Sequence, residues 1–341
     1  MSEETRGYLQ AQQAEIHYTY ARFHRRVFAN LLDFILCAFI FIACFVGIRA
    51  IVVSTPAYQE KENTLLSLRI DSGLYYQEDS GLTTDIVSHL NDKTANFSAF
   101  NKMMRSSEAI DKFIVFVGSR AGDIAQQKAQ QDYDDYRLQE KYVYQGVHYF
   151  IVEEGKVSIN PSCGASAESY YNGVFAPYID EHCQTYLVTL VPEYLELVRF
   201  ESNMLFYAEL IPAYAIAPFI TYLLPMLIFR RGRKTFGKAL YRIGVLDSRL
   251  LVPTIPRTLA RFFIFYVAEW LLTPITFAIP FLVSATLMGF SKAHQGFPDY
   301  MLRLFEVDTS NEKIYFTREE ILLDGVGREK APVDFQPRYE D

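Results

Sequence analysis

Whole classes of chemistry are missing from this chain's vocabulary. It has no Gly-x-Ser-x-Gly, no His-Glu-x-x-His, no Cys-x-x-Cys and no glycine-rich phosphate loop. The usual marks of serine hydrolases, zinc proteases, thiol oxidoreductases and nucleotide binders are therefore lacking, and we expect neither an enzyme nor a cofactor. Excess positive charge is lacking too: 33 Lys and Arg stand against 40 Asp and Glu, a net charge of -7, so nothing suggests a nucleic-acid partner. Cysteine is scarce, with four in 341 residues, and the six histidines show no metal-ligand spacing. No metal site is expected.

What the chain does have is apolar sequence, gathered into three blocks: residues 27–53, 204–229 and 262–290. A bilayer core takes about 20 mostly apolar helical residues, so the expected fold is an α-helical membrane protein with about three membrane-embedded segments. The first block is too long, and too polar ahead of its apolar run, for a cleaved signal peptide. Charge sets the orientation. Residues 230–261 carry nine basic residues against one acidic, whereas residues 55–203 carry twelve against twenty-two. Short basic loops stay in the cytoplasm, so residues 1–26 and 230–261 are expected inside and residues 54–203 outside, with the chain in the cell membrane. Seven basic residues between Arg230 and Arg249 would also attract anionic lipid headgroups, although orientation alone accounts for them.

The outer insertion is long enough for a domain, and an α+β fold is expected for it. Residues 85–112 and 121–140 look helical, 112–118 (KFIVFVG) reads as a short strand, and 141–157 as a hairpin. Cys163 and Cys183 are its two cysteines. In an oxidising compartment they are expected to form a disulfide, closing a loop of about 20 residues for roughly 3 kcal/mol. Cys37 and Cys44 lie in the first apolar block and read as packing residues.

Charges inside the apolar blocks are the candidate sites. A carboxylate in hydrocarbon costs on the order of 3 kcal/mol and usually faces a partner or a water-filled cavity. Arg26, Asn30 and Asp33 form one helical stripe. Glu269 follows Arg261 by about two turns, much as Asp33 follows Arg26. A cation or proton site between helices and plain structural hydrogen bonding are both open readings. Glu209 reads as interfacial. Pro212, Pro218 and Pro225 interrupt the second block, which spans tolerate where neighbours satisfy the freed carbonyls.

Three motifs in order resemble the RDD family of mostly bacterial integral membrane proteins. Arg-Arg-Val-Phe-Ala-Asn-Leu-Leu-Asp supplies Arg26, Ala29 and Asp33. Thr-Phe-Gly-Lys-Ala-Leu-Tyr-Arg-Ile-Gly-Val-Leu-Asp supplies Thr235, Gly237, Lys238, Leu240, Val245 and Asp247. The closing stretch supplies Asp299, with Pro298 where the family has a histidine and without its Gly-Thr. The resemblance covers residues 20–55 and 204–308. It implies transport, with sodium–proton antiport among some members, and Arg26, Asp33 and Asp299 as the named residues. Two functions follow as expectations: transport of ions or small ligands through buried Arg and Asp residues, or a non-transporting anchor that displays the outer domain to a ligand or protein. Since three spans are few for a pathway, a homo-oligomer is expected for the first.

One further pattern concerns the C-terminal tail, residues 291–341. Residues 242–248 (RIGVLDS) and 303–309 (RLFEVDT) share a pattern of basic, aliphatic, two variable, aliphatic, aspartate and hydroxyl residues. Each is too short to stand alone, so pairing between them is expected, which would hold the tail inside. Residues 262–290 are too short for two full spans, and Pro274 and Pro280 break their middle. A re-entrant segment is therefore expected there, with an ordinary third span and a chance likeness of the two patterns as the alternative.

Overall fold

The computed structural model describes residues 18–78, 81–290, 295–310 and 313–325. Most of the expected tail beyond residue 325 and of the N-terminal segment lies outside these residues. The chain divides into two compact units, residues 50–208 and residues 1–49 with 209–341.

In the second of these units the first helix, Phe23–Val53, is 31 residues long, about 46 Å at 1.5 Å per residue. Its buried residues are Arg26, Ala29, Asp33 and Cys37, a repeat of three and four that puts them on one face. Phe28, Leu31, Phe34, Ile35, Phe39, Ile42 and Val46 are exposed on the others. An exposed surface this apolar is what a helix shows to lipid.

A second long apolar run, Pro192–Ile228, covers 37 residues. It changes to wider, π-helical turns at Met204–Leu210 and Phe219–Leu223. Pro212, Pro218 and Pro225 lack the N–H that a regular helix would use, so the ladder must adjust around them.

The third apolar block is a helical hairpin. One arm is Ile255–Ile264 continued by the π-helical Phe265–Leu271, and the other is Ile279–Phe290. Between them the chain turns, with positive φ at Phe277 and Ala278. Trp270 fixes the first arm against the preceding run. Its ring stacks on Tyr214 at 4.7 Å, its indole N–H donates to the Tyr214 carbonyl at 2.9 Å, and the Tyr214 hydroxyl donates to the Trp270 carbonyl at 2.6 Å.

The two short patterns are strands, and they pair. Ile243–Leu246 runs antiparallel to Phe305–Asp308, with Ile243 opposite Asp308 and Leu246 opposite Phe305. The other edge of Phe305–Asp308 bonds the chain just ahead of the first helix. Ala21 N–H donates to the Glu306 carbonyl at 3.1 Å, and Asp308 N–H to the Thr19 carbonyl at 2.9 Å. Three segments far apart in sequence thus meet around one strand.

Residues 50–208 have their own core, in which Ile110, Phe113, Val117, Tyr133, Phe175, Tyr178, Ile179 and Leu187 are packed together. Among the described residues helices dominate, with three short antiparallel strand pairs. The expected strand at residues 112–118 is instead part of the helix Ala99–Ala121. Its branched residues suggested a strand, but Met103, Ser106, Ile110, Phe113 and Val117 continue a three-and-four spacing through it and are buried along one face. The expected disulfide is also corrected, because Cys163 and Cys183 are free thiols. Cys163 Sγ points at the Val147 carbonyl, 3.8 Å away. Cys183 is fully buried in the helical core, where burial pushes its thiol pKa up.

A buried charge cluster as candidate functional site

The motif residues converge at one end of the membrane-type unit. Thr235 caps the short helix Phe236–Leu240, its hydroxyl accepting from the Lys238 N–H. Asp33, from the buried face of the first helix, reaches the same turn. Its carboxylate accepts from the Thr235 hydroxyl and from the Gly237 N–H at 2.7 Å. An acidic group at a helix start satisfies donors that the helix itself leaves unused. Gly237 is required by the closeness of this contact. A Cβ there would stand 2.1 Å from the Ala29 carbonyl oxygen, and Ala29 is small enough to let the turn approach. Thr235, Gly237, Ala29 and Asp33 form one packed joint.

Beside it lies an ion-pair network. Lys238 Nζ is 2.5 Å from Glu306 Oε1, Arg261 Nη2 is 3.4 Å from the same oxygen, and Arg26 Nε is 3.8 Å from Oε2. Arg26 also donates to the Glu306 carbonyl at 2.8 Å. Arg261 forks onto Asp299 at 2.5 and 2.8 Å, the two-point geometry in which guanidinium binds carboxylate best. Arg26, Lys238 and Arg261 thus face Asp33, Asp299 and Glu306, so the buried charges balance. Burial alone would raise the Glu306 pKa, but Lys238, Arg26 and Arg261 outweigh it and hold it down at about 2.

Several expected partners are placed elsewhere. Arg26 and Asp33 share a face but not a bond, since Arg26 goes to Glu306 and Asp33 to the Thr235 turn. Asn30 stays outside the network, its amide 3.7 Å from Met288 Sδ. Asp247 is buried but serves its own loop, accepting from the Arg249 and Leu251 N–H groups and pairing with Arg257 at 3.2 Å. Sequence reasoning missed Glu306 as a site residue. Its one signal was its place in the Phe-Glu-Val-Asp strand, where alternation turns it away from Phe305 and Val307.

Two more carboxylates lie further along the helices. Glu209 is fully buried in the π-helical stretch Met204–Leu210, and Arg49 Nη1 lies 3.1 Å from its Oε2. Glu269 is 6% exposed in the π-helical stretch Phe265–Leu271. It is eight residues from Arg261, about 12 Å along a regular helix.

Residues 183–303 match the model of the RDD family. No curated protein and no solved structure matches the chain. Asp33 and Glu306 lie outside the matched range, yet they bond Thr235, Gly237, Lys238 and Arg261 inside it, and Arg26, also outside, bonds Glu306. Among the described residues two helices are long and apolar enough to cross a membrane, and together with the match of residues 183–303 to the RDD family model they support membrane character.

Proposed function

We propose that the chain is a multi-pass protein of the cell membrane that anchors residues 50–208 outside the cell, and that its RDD charges act as a clamp. The observation that carries this reading is the mutual satisfaction of those charges. Arg261 is forked onto Asp299, Lys238 is on Glu306, and Asp33 is spent on the Thr235 turn. Groups that bind a passing solute need free valences, and these have given theirs to one another. The separate core of residues 50–208 supports a display role, with a ligand or protein outside as its partner.

Orientation follows from the basic loop 230–261, which belongs in the cytoplasm. The strand Phe305–Asp308 is bonded to that loop and to the start of the first helix, so all three share its side. The second arm of the hairpin, Ile279–Phe290, has 12 residues, about 18 Å, against a hydrocarbon core of about 30 Å. It enters and returns without crossing.

Transport of ions or small ligands, with the chain as a homo-oligomer, is the second reading. It is favoured by Glu269, whose Oε1 has no hydrogen-bond partner among the described residues. Ion flux in proteoliposomes separates the two. The anchor reading expects no flux above protein-free vesicles for wild type or Asp33→Asn. Flux in the wild type that Asp33→Asn abolishes would overturn it in favour of transport.

A further inference from the structure

We propose that Glu269 is a proton-binding site within the membrane part of the molecule, a carboxyl group held neutral by its surroundings. The inference goes beyond the anchor reading and does not depend on it.

The argument is one of comparison among buried carboxylates. Asp33 accepts from Thr235 and Gly237, Asp299 holds Arg261, Glu306 holds Lys238, and Glu209 holds Arg49. Glu269 is buried to a similar degree and has no ion pair among the described residues. One of its two oxygens lacks any hydrogen-bond partner there, as does one of Glu209, whose other oxygen, unlike those of Glu269, is held by an arginine.

The groups that face it explain why. Arg261 on its own arm is taken by Asp299, and Lys238 from the capped turn is taken by Glu306. Asp299 contributes a like charge, Tyr222 faces it from the preceding run, and Ser284 offers a hydroxyl from the return arm. That hydroxyl also accepts from the Phe297 N–H at 2.9 Å. A hydroxyl and a phenol are weak company for a bare carboxylate. Taking up a proton removes the charge and turns the group into a donor as well as an acceptor. The π-helical turn around it is a distortion that recurs at functional positions in helices.

The full-length protein in liposomes, treated with dicyclohexylcarbodiimide, tests this. The reagent partitions into apolar regions and reacts with protonated carboxyls. The acid's proton passes to a carbodiimide nitrogen, a carboxyl oxygen adds to the central carbon, and an acyl shift leaves a stable N-acylurea carrying the reagent's whole mass. Mass spectrometry of peptides should find the adduct on Glu269 at neutral pH, fading as the pH is raised. Glu209 and Glu306, each paired with a cation, should be spared. Glu269→Gln, which has the shape of the neutral acid, should keep the wild-type thermal midpoint and lose the adduct.

Absence of the adduct on Glu269 in the folded wild type would overturn the proposal. So would labelling independent of pH, or labelling of Glu209 and Glu306 to the same extent. If Glu269→Gln fails to fold, the charge was needed and the proposal falls on that ground too.

Discussion

Glu306 decides more than any other side chain in the membrane-type unit, because three cations depend on it. Replacing it with glutamine leaves Lys238 and Arg261 buried with a counter-charge missing. Breaking a buried pair in this way costs about 3–5 kcal/mol, so Glu306→Gln should lower the thermal midpoint in detergent markedly. Its pH dependence carries the sign. The carboxyl is held below its ordinary 4.5, at about 2. Its contribution is therefore fully present above about pH 4.5 and is lost as the pH falls toward 2. Wild type should lose stability across that window, while Glu306→Gln, already without the charge, should lose less there. A variant that tracks wild type through the window would show that Glu306 is not the group responsible. Arg26 and Asp33 were legible in the sequence because charges next to or inside apolar runs stand out, and Asp299 was legible through the family resemblance. Glu306 was not, since its segment is ordinary polar tail by composition. Its burial exists only once three distant segments close around it.

The elements teach the same lesson about range. The first helix and its buried face could be read directly, since 3.6-residue periodicity is a local property. The strand pair Ile243–Leu246 with Phe305–Asp308 was legible by likeness of pattern, helped by the rule that a lone strand of this length is unstable. The helix over residues 112–118 was misread because a short branched run fits a strand and a buried helical face equally. Only the spacing shared with Met103, Ser106 and Ile110 separates them. Register gives the strand pair a sharp test. Leu246 and Phe305 are opposite one another, a placement within disulfide reach. The double variant Leu246→Cys/Phe305→Cys should cross-link under mild oxidant, whereas Leu246→Cys/Asp308→Cys, displaced along the ladder, should not. Equal cross-linking of both pairs would mean that this register is not held.

At the scale of the whole molecule, the question is which side of the membrane the chain ends on. Counting three apolar blocks from a cytoplasmic start puts the tail outside. The bonding argues otherwise, through two independent ties. Arg261, in the first arm of the hairpin, and Asp299, in the short helix Phe297–Leu302 after the second, are forked together, so the chain beyond the hairpin is held back against its first arm. Beyond it, Phe305–Asp308 is held on one edge by Ile243–Leu246, after the basic loop, and on the other by the chain ahead of the first helix. Crossing to the far side would break the strand's hydrogen bonds on both edges and strand Glu306 away from its cations. The likeness of the two strands pointed this way from sequence, whereas the ion pair that closes the hairpin was invisible there, because Arg261 and Asp299 are 38 residues apart. Ser310, just past the strand and hydrogen-bonded through its N–H to Asp308 at 2.8 Å, reports the outcome. A Ser310→Cys variant in intact cells should stay unlabelled by a membrane-impermeant maleimide beyond the level of wild type, and should become labelled once the membrane is opened. Labelling in intact cells would place the strand outside, and the hairpin would then have to cross the membrane after all.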